Sequence, residues 1–213
     1  MTESRLTPAQ VWTEMLEGNS RFVSGEPRHP RQDVDRRHEI AAEQRPRAAL
    51  FGCSDSRLAA EIIFDEGLGD LFVIRNAGQV ISDSVVGSLE YAVFALGVPL
   101  IVVLGHDACG AVRAAIDSTA PDAPVLPPHV WRQVAPIVPA VRRVQTADHS
   151  AAGDIDAEHV GREHLRDTVN ELLHSSELIS QAVADGTLAI AAVNYRLAEG
   201  TAVPDFVLGL AEV

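Results

Sequence analysis

Apolar residues in this chain fall into short, unbroken runs separated by stretches of helical periodicity. Residues 48–51, 71–74 and 100–104 are continuously apolar, and the first and last runs are closed by Gly52 and Gly105. Runs of this kind, spaced by helices, predict parallel strands buried on both faces. Between the second and third runs, Val85, Val86, Leu89, Ala92, Val93 and Leu96 recur at helical spacing, predicting a helix over 82–96. Further helices are expected over 130–144, 159–173 and 177–184. A strand is expected over 188–197, turning at Glu199-Gly200 into a last strand at 202–208.

The amino-terminal pattern differs. Thr7-Pro8-Ala9-Gln10 joins a capping hydroxyl, a proline at the first helical position and a Gln that completes a capping box. Val11, Trp12, Met15, Leu16 and Phe22 follow on one helical face. Residues 25–35, rich in Pro, Arg and His, read as an extended arm. The expected architecture is α/β: a mostly parallel central sheet of four to five strands flanked by helices, with a projecting N-terminal helix. Residues 1–213 are expected to form a single domain, in which 1–35 pack on a partner subunit and 36–213 make the core. Residues 117–160, punctuated by Pro121, Pro124, Pro127, Pro128, Pro136 and Pro139, read as a loop, the 130–144 helix and a second loop.

Composition narrows the chemistry. The 213 residues are 46% hydrophobic, enough for a sizeable core, and carry a net charge of −13. All 17 basic residues are Arg. Without Lys, mechanisms that need a Schiff-base or P-loop lysine are excluded, and the acidic balance argues against a nucleic-acid surface. No apolar run approaches the length of a membrane span, and no secretory leader is visible, so a cytoplasmic protein is expected. Two cysteines cannot build a disulfide scaffold.

Both cysteines follow predicted strands: Cys53 in Gly52-Cys53-Ser54-Asp55-Ser56-Arg57, and Cys109 in Gly105-His106-Asp107-Ala108-Cys109-Gly110. An isolated Cys at a strand end is usually a small buried hydrophobe. Two of them, with His106 three residues before the second, form a soft donor set suited to zinc with a fourth position open. A water in that position would have a pKa of about 7. A phosphatase-type nucleophile needs a longer loop than the one between Cys53 and Arg57, and a thioredoxin-type site needs a CxxC. A cysteine hydrolase with Cys53 as nucleophile and His106 as base is geometrically possible but leaves Cys109 without a role. Asp55 and Arg57 point the same way on an extended segment. Asp55 can therefore pair with Arg57 or coordinate the metal, and such a switch would make activity rise steeply with pH.

The sequence resembles the β-class carbonic anhydrases, of the bacterial, actinobacterial type. The resemblance rests on four ordered motifs: Cys53-Ser54-Asp55-Ser56-Arg57, Arg75-Asn76-Ala77-Gly78, Ser88-Leu89-Glu90-Tyr91-Ala92, and Gly105-His106-Asp107-Ala108-Cys109-Gly110. It implies one zinc ion per chain held by Cys53, His106 and Cys109, and reversible hydration of carbon dioxide to bicarbonate and a proton. It also implies an Asp55–Arg57 catalytic dyad, with Asp55 a zinc ligand only in a closed state. Gln44, Phe72 and Tyr91 match the substrate-pocket positions of plant-type members. In the family these lie across a subunit interface, so a homodimer, or a dimer of dimers, is implied. Leu50 stands where members with a second bicarbonate site carry Trp, so a plant-like pocket is implied. Two alternatives remain: the same fold acting on carbon disulfide or carbonyl sulfide, and a non-catalytic zinc or redox sensor.

Overall fold

In the computed structural model, which describes residues 6–149 and 154–210, the apolar runs become strands of one sheet. β1 (Ala48–Cys53), β2 (Leu71–Asn76), β3 (Leu100–His106), β4 (Ala189–Arg196) and β5 (Thr201–Leu208) lie in the order β2-β1-β3-β4-β5. β1 runs parallel to β2 and β3, and β3 parallel to β4; only β5 is antiparallel, as the hairpin partner of β4. Every residue of β1 and β3 is buried, which is why neither alternates in sequence.

The pleat divides these strands between two cores. Leu50, Leu100, Val102 and Leu104 join Val11, Met15, Val112 and Val141 on one face. Ala49, Phe51, Ile101 and Val103 join Leu89, Val169, Leu172 and Ile179 on the other. The helices that supply these residues are α1 (Pro8–Ser24), α4 (Asp83–Phe94), α5 (Gly110–Asp117), α7 (Val138–Asp148), α8 (Ala157–Ser175) and α9 (Glu177–Ala184). Shorter helices are α2 (Val34–Glu39), α3 (Ala60–Ile63) and α6 (Pro128–Val134). From β1 the chain passes to β2 on one side and later returns to place β3 on the other. The gap between the carboxyl ends of β1 and β3 is thus a topological switch point, where open α/β sheets bind ligands.

Helix α1 begins as the capping box predicts, with Gln10 N–H donating to Thr7 Oγ1 at 3.2 Å and Thr7 N–H to Gln10 Oε1 at 2.8 Å. Val11, Trp12 and Met15 of its apolar face are buried within the chain, in the first core, while Leu16 and Phe22 are only partly covered. Asn19 fixes this docking. Its amide donates to the Ile63 and Gly200 carbonyls at 3.0 and 2.9 Å, and its carbonyl accepts from Ala202 N–H at 2.9 Å.

The extended arm is shorter than expected, because Asp33 caps α2 through Arg36 N–H at 2.7 Å and the helix starts at Val34. The arm is bolted down by buried carboxylates. Asp65 accepts from the N–H groups of Arg28 and His29, and Arg31 pairs with Glu66 at 3.1 Å and Asp70 at 2.7 Å. The helix expected over 130–144 is divided into α6, a 3-10 turn (Ala135–Ile137) and α7. Pro136 and Pro139 each lack the N–H that a continuous helix needs, so the chain re-nucleates at each. The sequence expectations for 1–5, 150–153 and 211–213 lie outside the described residues.

Candidate metal centre

Cys53 ends β1 and His106 ends β3. Because Gly52 pairs with Leu104, the two strand ends stand side by side. After His106 the chain turns through Asp107 and Ala108, the latter at φ +48°, and Cys109 becomes the N-cap of α5. The ligand atoms of Cys53, His106 and Cys109 all lie within 4.8 Å of one another. All three residues are buried, at 5%, 4% and 6% exposure.

The donor set is prepared. His106 Nδ1 lies 2.7 Å from the Asp107 carbonyl, which can only accept, so Nδ1 carries the hydrogen. Nε2 is left as a buried lone-pair donor with no hydrogen-bond partner among the described residues. Buried polar atoms are rarely orphaned, and a cation held between this nitrogen and two sulfurs satisfies it. Two thiolates and an imidazole fit zinc. The Cys53 thiol is lowered to about 4, chiefly by the hydrogen bond from Cys109, with smaller help from His106 and the Gly78 N–H. The same shared hydrogen bond, with burial, pushes Cys109 up. Burial disfavours a charged His106, yet the adjacent Cys53 sulfur outweighs it and raises the imidazole. Two thiols that share one proton in this way release that proton when a dication binds both.

Asp55 and Arg57 lie beside the cluster on the segment leaving β1. Arg57 donates from Nε to Oδ1 at 2.8 Å, from a terminal nitrogen to Oδ2 at 2.6 Å, and from its backbone N–H to Oδ1 at 2.9 Å. Arg57 holds the Asp55 carboxyl well below the usual carboxylate range. Arg57 also reaches the Ala108 carbonyl at 3.3 Å, tying this segment to the His106–Cys109 turn. Asp55 is not among the clustered metal-ligand atoms, so the ion-paired arrangement is the one present.

The carboxyl end of β2 and the turn after it supply support that sequence reasoning did not assign. Arg75 donates to the Cys53 carbonyl at 2.9 Å and to the Asp55 carbonyl at 2.6 Å, fixing the backbone on both sides of Ser54. Gly78 N–H donates to Cys53 Sγ at 3.3 Å. Gly78 sits at φ +81°, and a Cβ there would meet Ala111 Cβ at 2.8 Å. The signal was present in Arg75-Asn76-Ala77-Gly78, but which atom each residue serves depends on the fold.

Gln44, Phe72 and Tyr91 are gathered elsewhere. Gln44 and Tyr91 line a cavity of about 800 Å³ together with Val11, Pro46 and Pro99, where the chain enters β1 and β3. The Phe72 ring packs on Tyr91 with centroids 6.1 Å apart. Phe72 pairs with Ala49, four residues and about 13 Å of strand before Cys53. Within one chain these three residues are at the amino end of the sheet, and the cysteines are at the carboxyl end. Leu50 is a core residue, 2% exposed. Among the described residues, no helix is long and apolar enough to cross a membrane.

The carbonic anhydrase family profile matches residues 48–202. The chain is 50% identical over 200 residues to carbonic anhydrase 2 of Mycobacterium tuberculosis strain H37Rv, covering 92% of each. It is 46% identical over 194 residues to a carbonic anhydrase of Mycolicibacterium smegmatis, covering 91% of each. Among solved structures, the β-carbonic anhydrase CcaA matches with a TM-score of 0.69 at 27% identity, over 91% of this chain and 94% of that one. A tetrameric β-carbonic anhydrase of Sordaria macrospora matches with a TM-score of 0.71 over 91% and 96%; at 21% identity this is a likeness of fold alone.

Proposed function

The chain belongs to the β-class carbonic anhydrases, and from that premise we propose that it hydrates carbon dioxide reversibly at a single zinc ion held by Cys53, His106 and Cys109. The observation that carries this reading is the convergence of two buried sulfurs and the unpartnered His106 Nε2 within 4.8 Å. Held by these three residues, zinc would supply a Lewis acid that lowers the pKa of water to about 7, so that a nucleophile would be available near neutral pH.

The chain's own residues orient the chemistry. Asp55, gripped by Arg57, is an acceptor only. It takes the hydrogen of the attacking oxygen in a hydrogen bond and so directs the lone pair at the carbon of carbon dioxide. Bond formation between that oxygen and the carbon gives bicarbonate, and the proton released leaves to solvent. In a closed state Asp55 would turn from Arg57 to become the fourth ligand. The Asp55–Arg57 pair favours catalysis over a zinc or redox sensor, which needs neither residue.

Carbon dioxide is small and apolar, so its pocket need only be dry and offer one donor. Gln44, Phe72 and Tyr91 match that need, with the Gln44 amide donating to the oxygen that becomes negative. Their place at the amino end of the sheet supports a second copy as the contributor, making a homodimer the active unit. Residues 1–213 function as one domain. Two free thiols suit a reducing compartment, supporting a cytoplasmic location. Stopped-flow hydration of carbon dioxide, with zinc measured on the same sample, tests this reading.

A further inference from the structure

The Gly78 N–H that donates to Cys53 Sγ belongs to the same peptide plane as the Ala77 carbonyl. That carbonyl accepts from Gln133 Nε2 of α6 at 2.8 Å. The next peptide is held too: the Gly78 carbonyl lies 2.7 Å from His164 Nε2 of α8. A glycine at φ +81° has no side chain to restrict it, so the direction of its N–H depends on what grips the flanking peptides. One grip comes from each of two helices on different parts of the chain.

His164 is not explained by packing. It is 3% exposed, and its Nδ1 has no hydrogen-bond partner among the described residues. An unsatisfied buried nitrogen costs stability, so an apolar residue would serve a packing role better. What the histidine provides is the Nε2–H bond to Gly78. Gln133 provides the matching bond and also polarises the Ala77–Gly78 peptide, which strengthens the N–H donor at its other end.

We infer that Gln133 and His164 are positioning residues that aim the Gly78 N–H at the Cys53 sulfur and thereby tune that thiolate as a metal ligand. The inference rests on the reading of Cys53 as a ligand. An N–H bond to a ligating thiolate stabilises its lone pairs. Losing it raises the energy of the sulfur electrons and loosens the orientation of the donor.

Cobalt(II) loaded into the whole protein in place of zinc reports this directly, through the thiolate-to-metal charge-transfer band in the near ultraviolet. Gln133→Glu keeps the side-chain shape but cannot donate, and His164→Leu removes the second donor. In both, the band is expected to move to longer wavelength, and zinc affinity, measured by chelator competition, to fall roughly 10-fold. His164→Gln retains an N–H at similar reach and is expected to restore the wild-type band. Unchanged band and zinc affinity in Gln133→Glu and His164→Leu would overturn the inference. If His164→Leu does not fold, the half-buried Gln133→Glu decides alone. Wild-type protein that holds a full complement of zinc but hydrates no carbon dioxide would overturn the proposed function, while the spectral comparison on the cobalt protein would still decide this inference.

Discussion

Arg57 occupies both carboxylate oxygens of Asp55, closing a bidentate pair next to the Cys53–His106–Cys109 cluster. The pairing removes any donor capacity from Asp55 and fixes its rotation. Asp55→Asn keeps the shape but places an N–H where an acceptor is needed. Turnover is expected to fall at least about 100-fold, with zinc content unchanged. Steady-state kinetics with metal analysis checks this; a loss of zinc in the variant would instead make Asp55 a structural residue.

The same pair fixes a sign. Asp55 is depressed in the folded protein by Arg57, so it stays charged until pH falls below the ordinary carboxylate value of 3.8. Activity that falls as pH drops through about 7 therefore reflects ionisation of the nucleophile rather than protonation of a paired Asp55. A carboxyl-carbon NMR titration of Asp55 is expected to show no inflection above the ordinary range. An inflection near neutrality would show that the pair opens.

Removing a ligand should remove the metal. Cys53→Ser, His106→Ala and Cys109→Ser each break a three-donor set, and each variant is expected to retain under about a tenth of the wild-type zinc after dialysis. Full retention by any of them would reassign that ligand.

Placement of Gln44 at the far end of its own sheet predicts complementation between subunits. Gln44→Ala and Cys53→Ser chains, each impaired alone, are expected to regain activity when co-assembled. One site of the mixed dimer then combines an intact ligand set with a Gln44 from the other chain. Mixtures no more active than the average of the two parents would place the pocket within one chain.

Glu66 makes stability depend on pH in the opposite sense from most acids. Burial raises its pKa to about 7, against the pull of Arg47 and Arg31 and with Asp70 adding repulsion. The unfolded chain releases this proton first, near the ordinary value of 4.5, so the folded state binds more protons between there and about 7. Raising pH through that window therefore costs stability. Urea midpoints of wild type are expected to fall more than those of Glu66→Gln across it; parallel profiles would contradict this.

Strand positions were legible because β1 and β3 are buried on both faces and so leave unbroken apolar runs. The capping box of α1 was equally legible, since all its atoms belong to Thr7 and Gln10. Where the helix lands is a long-range matter: Asn19 docks it through Ile63, Gly200 and Ala202, and nothing local to residues 8–24 encodes those partners. The metal centre shows the same division. Cys53, His106 and Cys109 could be picked out by type and by their place at strand ends. Gly78, Gln133 and His164 act through a backbone N–H, a half-buried amide and a buried ring that the fold alone brings to the Ala77–Gly78 turn.

The central claim is that the three buried donors hold zinc for hydration of carbon dioxide. Stopped-flow hydration at about pH 8.5, above the pKa of about 7 expected for the nucleophile, tests it on protein of measured zinc content. Zinc near one ion per chain with rapid turnover, lost on chelation and restored by zinc, is the predicted result. A full complement of zinc with no hydration above the uncatalysed rate would contradict it.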